Sequence, residues 1–203
     1  ALSDYTRAIS IDKTSKNYYH RGRLKYKTED YLGAIEDYDI AALLDEDNSQ
    51  YWRDGEKAWL YEDKATALVK LGQYHEAIHN CYLALKYIKE YEDSGKERMY
   101  RENVYPSISV KTGRAQIINQ MGGIKYLLND FKGALKDFKI AVKLNPTVAK
   151  YNYNLGVLLI QLMNNPLSVD YENGCKYINK AKNQGLDIDE KGLITSNGFN
   201  YCK

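Results

Sequence analysis

Small and apolar side chains recur along this chain in one order: a small residue, an apolar or aromatic one four positions later, and an alanine three further on. The order reads Ala1-Tyr5-Ala8, Ala34-Tyr38-Ala41, Ala77-Cys81-Ala84, Ala134-Phe138-Ala141 and Gly174-Ile178-Ala181. Spacings of four and three place each trio on one face of an α-helix. Ahead of three of these helices runs a second helical pattern with its own small residue: Gly22, Ala65 and Gly122 each stand twelve positions before the first alanine of a trio. In an antiparallel hairpin such a pair meets, and two small residues let the backbones approach closely. The pattern predicts an all-α chain of helix pairs, an αα superhelix or solenoid in which each pair buries its face against the next.

Read as repeats, the units span 15–47, 58–92, 113–146 and 147–185 within a single domain of residues 1–203. Residues 1–14 supply the second helix of a repeat whose first helix is missing, so the chain is expected to be a processed or truncated piece of a longer protein. Residues 186–203 are expected to cap the last hydrophobic face. In the first complete unit Tyr18, Tyr19, Gly22 and Tyr26 share one helical stripe, and Tyr31, Ala34, Ile35, Tyr38, Ala41 and Leu44 another. Glu29-Asp30 fall at the turn, where acidic groups suit the start of the second helix. The third unit's stripe includes Leu127, Leu128 and Phe131. Asn145-Pro146 stop one helix and open the next, and Gly185 is placed to cap the last. Units 34 residues long would leave residues 47–57 and 90–112 as insertions, which either loop out or lengthen the flanking helices.

These residues resemble the tetratricopeptide repeat family. The likeness rests on Gly22, Ala34, Tyr38 and Ala41, then Ala65, Ala77, Cys81 and Ala84, then Gly122, Ala134, Phe138, Ala141 and Pro146, then Gly156, Gly174, Ile178 and Ala181. It covers about four-fifths of the chain. The last unit departs from it: Gly156 and Gly174 are eighteen apart, with Asn164-Asn165-Pro166-Leu167-Ser168 between, and with Ala181 and Gly185 this resembles the related Sel1-like repeat. The resemblance implies a right-handed superhelix whose concave face is lined mostly by the first helix of each pair. It thereby brings Lys16, Tyr19, Arg23, Tyr26, Trp59, Asn119, Tyr126, Lys150 and Tyr153 to a groove for a protein or peptide partner. Tyr5, Tyr31, Tyr38 and Tyr74 are expected to pack between helices instead. Some members clamp a terminal carboxylate with lysines and asparagines. The matching places here hold Tyr19, Arg23, Asn119, Lys150 and Asn154, an incomplete set, so a ligand of mixed polar and apolar character is expected.

Charge changes this picture little. The 29 basic and 27 acidic side chains nearly balance, and such balance does not point to nucleic acid or a lipid surface. The second half is the more basic, which would favour an acidic partner or weak nucleic-acid binding. With 20 tyrosines, the chain is rich in a side chain that joins a large contact area to a polar tip. No apolar run reaches the length of a membrane span. Cys81, Cys175 and Cys202 are read as making no disulfide framework, with Cys81 a small hydrophobe in a core slot. The compartment stays open, with the cytoplasm preferred. One motif points elsewhere: His75-Glu76-Ala77-Ile78-His79 matches the zinc-hydrolase order, two metal ligands and a base on a helix. A repeat already accounts for Ala77 and Ile78, and no third ligand stands at a diagnostic distance. The expectation is therefore a non-catalytic binding scaffold without cofactor or metal, with the zinc hydrolase as the alternative.

Overall fold

The computed structural model describes residues 1–46, 56–93, 110–162, 169–188 and 202. Among these it has nine α-helices and no strand: α1 (Leu2–Ile11), α2 (Ser15–Lys27), α3 (Tyr31–Glu46), α4 (Glu56–Lys70), α5 (Tyr74–Asp93), α6 (Val110–Leu127), α7 (Phe131–Leu144), α8 (Ala149–Leu162) and α9 (Val169–Asn183). They fall into two units, Ala1–Val110 and Lys111–Lys203. The first holds the hairpins α2/α3 and α4/α5, with α1 packed on α2 and α3 on α4. The second holds α6/α7 and α8/α9, with α7 packed on α8. Most of the insertions expected at 47–57 and 90–112, the loop Asn164–Ser168 and most of the tail fall at 47–55, 94–109, 163–168 and 189–201, outside the described residues. At their edges α4 begins at Glu56, α5 runs on to Asp93 and α6 begins at Val110.

Within each hairpin a small residue faces a large one. A Cβ placed on Gly22 would lie 2.7 Å from the Tyr38 ring, and one on Gly122 2.7 Å from the Phe138 ring. In α4 the same position is Ala65, and the residue in the ring's place is the smaller Cys81; both are fully buried. The last hairpin keeps glycine on both sides, where Gly156 would meet the Gly174 carbonyl and Ile178 at 2.8 Å. The volume added on one helix is thus removed from the other, as close-packed interiors require. Tyr38, Ala34 and Ala41 form one core cluster with Leu60 and Ala67. Phe138, Ala134 and Ala141 form another with Tyr151, Leu155 and Leu158. Of the tyrosines expected in the interior, Tyr38 is buried, while Tyr5, Tyr31 and Tyr74 are half-buried. Leu127 departs from its stripe and is 49% exposed, because it is the last residue of α6, where the chain leaves the hairpin contact.

Buried charge crosses two of the hairpins in the same register. Asp37, 1% exposed, accepts two hydrogen bonds of 2.7 Å from Arg21 and lies 3.1 Å from Lys25. One hundred residues on, Lys125 pairs with Asp137 at 2.5 Å. In α4/α5 the corresponding residues are Leu68 and Asn80, and in α8/α9 Leu159 and Tyr177, so lysine and aspartate are present together or absent together.

Three turns repeat one device. Glu29, Gly72 and Asn129 all adopt a left-handed backbone, at φ 64°, 75° and 61°. The next residue's N–H reaches back five positions, from Asp30 to Lys25, Gln73 to Leu68 and Asp130 to Lys125, at 2.9–3.0 Å. This closes the first helix and starts the second. Asp30 and Asp130 then accept from the N–H of Gly33 and Gly133, which caps α3 and α7 as Asp residues at helix starts do. Only Gly72 takes that conformation without steric cost. Glu29→Gly is therefore expected to raise the urea-unfolding free energy, and Gly72→Ala to lower it, each by about 1 kcal/mol. A Cβ on Gly72 meets nothing within 4 Å, so its penalty would come from the backbone alone.

Asn145 closes α7, but α8 begins three residues after Pro146, at Ala149. Asn152, wholly buried, donates to the carbonyls of Pro146 and Val148 and to the Gln184 side chain. That knot ties the turn before α8 to the end of α9, where Gly185 takes φ 86°. Cys175 on α9 is bonded to Cys202, which corrects the expectation that the three cysteines make no disulfide framework. The weak periodicity of the tail carries no signal that Cys202 returns to α9. A cross-link at a sequence separation of 27 stabilises mainly by restricting the unfolded chain, by about 3–4 kcal/mol on the loop-entropy account. Cys81 is fully buried and unbonded.

Candidate functional site

The candidate groove residues lie on first helices: Lys16, Tyr19, Arg23 and Tyr26 on α2 and Trp59 on α4 in the first unit, Asn119 and Tyr126 on α6 and Lys150 and Tyr153 on α8 in the second. They occupy four repeated positions. Lys16, Trp59 and Lys150 share one, with Gln116; Tyr19, Asn119 and Tyr153 share the next, with Glu62.

Two of the nine do not present a surface. The Tyr19 side chain is buried, and its hydroxyl donates to Asp63 of α4 at 2.9 Å. Asn119 is buried as well, and its carbonyl accepts from the Asn154 amide of α8 at 3.0 Å. Both bonds join the first helix of one hairpin to the first helix of the next, and both use the same pair of repeat positions. Sequence periodicity puts these residues on one stripe of their helices. It did not resolve which of them turn toward the neighbouring helix, because that depends on the angle between successive hairpins.

The others remain accessible to differing degrees. Arg23 is exposed and lies 3.4 Å from Asp63, with its guanidinium 5.7 Å from the Tyr19 ring centre. Trp59 is 37% exposed, and Lys150 is exposed. Lys16, Tyr26, Tyr126 and Tyr153 are half-buried. Tyr26 and Tyr126 are braced by the first residue of the following helix, with ring centres 5.3 Å from Tyr31 and 5.6 Å from Phe131. The residue that sequence reasoning missed is Asp63. Its only signal is an acidic side chain one position after the column of Tyr19.

Burial is the main influence on this cluster's protonation. Although the Asp63 side chain is 35% exposed, the helices around it desolvate the carboxyl and raise it from its ordinary value, and the Tyr19 hydrogen bond and Arg23 offset only part of that. Tyr19 and Tyr38 are held far above the usual phenol range, first by burial and then by the charge of Asp63. A carboxyl whose folded-state pKa is raised binds more protons folded than unfolded. The penalty of its charge is present above the folded pKa and disappears as pH falls toward the ordinary value. The stability of the wild type relative to Asp63→Asn is accordingly expected to improve as pH drops from 7 toward 4. Urea unfolding of both proteins across that range measures it, and parallel curves would contradict the assignment.

His75, Glu76 and His79 are all exposed on α5, and among the described residues no group of three or more His, Cys, Asp or Glu is arranged to hold a metal. No helix among them is long and apolar enough to cross a membrane.

No protein-family model and no curated protein matches the sequence. Solved structures do match the fold. MamA superposes with a TM-score of 0.64 at 13% identity, over 91% of this chain and 86% of that one. YrrB, a TPR protein with an unusual peptide-binding site, does so with 0.60 at 19% identity, over 91% and 76%. The first TPR of Spaghetti (RPAP3) bound to HSP90 peptide SRMEEVD matches with 0.52 at 18% identity, over 74% and 94%. The architecture is thus that of the tetratricopeptide repeats: an all-α solenoid of antiparallel helix pairs.

Proposed function

We propose that this chain is a protein- or peptide-binding scaffold that presents the exposed side of its first helices to a ligand of mixed polar and apolar character. The observation that carries the reading is the repeated fastening of neighbouring first helices, Tyr19 to Asp63 and Asn119 to Asn154. These bonds hold Arg23 and Trp59 in the first unit, and Lys150 and Tyr153 in the second, on preorganised frames, and preorganisation is what keeps the entropic cost of binding low. Peptide binding by YrrB and by the Spaghetti repeat supports the class of ligand. A terminal-carboxylate clamp is disfavoured, because Tyr19, Asn119 and Asn154 are already engaged with one another's helices or with Asp63. The last hairpin, with its eighteen-residue offset and its Gly156–Gly174 contact, supports a Sel1-like reading of that repeat. The disulfide supports an oxidising compartment over the cytoplasm.

The test is selection of binders from a peptide-display library on the purified, oxidised chain, followed by Trp59→Ala, Arg23→Ala and Lys150→Ala, chosen for their exposure. Each substitution in the unit that holds the ligand is expected to weaken binding about tenfold with the helical fold retained, as circular dichroism would show. Binding unaffected by all three would overturn the assignment of the surface.

A further inference from the structure

The outward side of α7 carries charge that the fold does not use. Lys132, Lys136, Lys139 and Lys143 follow one another at spacings of four, three and four, a single line on the helix surface. All four are exposed, and none takes part in the ion pairs among the described residues. The one acid of α7, Asp137, is turned inward to Lys125. The eleven helical steps from Lys132 to Lys143 make the line about 16 Å long. Like charges three and four apart repel, and Lys132 in the first turn also opposes the helix dipole. The repeat does not require lysine here. The same four positions are Leu32, Glu36, Asp39 and Leu43 in α3, and His75, His79, Tyr82 and Lys86 in α5.

We infer that this lysine line is a docking surface for an acidic polypeptide segment, separate from the first-helix faces. The charge complementarity is to carboxylates at the same four-three-four spacing, which an acidic helix laid along α7 would present. Nucleic acid fits less well. The row contains no arginine, the side chain whose planar fork matches phosphate, and Phe131, the exposed aromatic of α7, is packed on Tyr126 rather than open to a base. A lipid surface also fits less well, because the apolar side of α7 is sealed in the core with Tyr151 and Leu155, leaving little to insert. This goes beyond the proposed groove and stands without it.

The experiment titrates the oxidised full chain against a labelled helical peptide bearing glutamates at spacings of four, three and four. A 20-base-pair DNA duplex and vesicles containing phosphatidylserine are titrated in parallel, all in 50 and 200 mM NaCl. Replacing the four lysines by glutamine is expected to weaken peptide binding about tenfold or more in 50 mM NaCl, through loss of the opposed charges. A control variant removes the same charge from exposed lysines elsewhere, Lys13, Lys27, Lys70 and Lys89, and is expected to bind within about twofold of wild type. Removing mutual repulsion should leave the thermal midpoint of the α7 variant no lower than wild type, which separates lost binding from lost folding. Equal losses in the two variants, no peptide binding by the wild type, or tighter binding to DNA or vesicles than to the peptide would each overturn the proposal. Loss of ligand binding by Trp59→Ala or Lys150→Ala with this peptide unaffected would leave it intact.

Discussion

Replacing Asp37 by alanine is expected to destabilise the first unit by about 3–5 kcal/mol, the cost of stripping a buried ion cluster of its only anion. Asp37 is 1% exposed, and the side chains of its two partners, Arg21 and Lys25, are 17% and 19% exposed. Neither cation regains full hydration when the carboxylate goes. The hydrogen bonds from Arg21 are bidentate and short, the geometry in which such pairs are strongest. Urea unfolding reads the loss directly. The α4/α5 hairpin supplies the rescue: Lys25→Leu with Asp37→Asn installs the residues that stand there as Leu68 and Asn80, and should recover at least half of the lost stability. Asp137→Ala should cost less, since it has a single cationic partner, Lys125, and is itself slightly more open to solvent. A loss below about 1 kcal/mol for Asp37→Ala, the level of an exposed pair, would show that the cluster is far better solvated than its geometry implies.

The second large effect is expected from Phe138→Ala, at about 3–5 kcal/mol, because the ring fills the hollow opposite Gly122 and leaves a cavity when removed. The mirror change, Gly122→Ala, puts a methyl group 2.7 Å from that ring and should cost about 1–3 kcal/mol through overpacking. Their combination discriminates between models. If the two positions share one volume, Gly122→Ala with Phe138→Cys, the pairing found at Ala65 and Cys81, should be less destabilising than the two single changes added together. A double-mutant cycle measures the difference, and strict additivity would show that the glycine and the ring do not constrain each other.

What the amino-acid order revealed, and what it hid, follows from the range of each interaction. The hairpins were legible because a twelve-residue offset between small residues is a local property. Gly22 and Ala34, or Gly122 and Ala134, announce the contact without knowledge of anything beyond the turn. The ion pairs were legible in principle by the same route, since Lys25 precedes Asp37, and Lys125 precedes Asp137, by that same offset. In a chain with 29 basic and 27 acidic side chains, one lysine and one aspartate at that offset give no hint that they face inward. Tyr19 and Asn119 lay beyond local reasoning for a different reason. Their burial depends on how one hairpin is rotated against the next, which no single helix encodes. Glu29 and Asp30 share the expected turn but divide its work, Glu29 taking the left-handed position and Asp30 the capping, a division that two adjacent acids do not reveal. The bond between Cys175 and Cys202 was hidden because a tail with weak periodicity has no stripe to show which helix it returns to.

That bond also changes what counts as one polypeptide. A protease cutting anywhere between Cys175 and Cys202 would release nothing: the two products stay covalently joined until a reductant arrives. The break would show on a denaturing gel only with thiol present, so the electrophoretic signature of an intact chain and of a nicked one would be the same under non-reducing conditions.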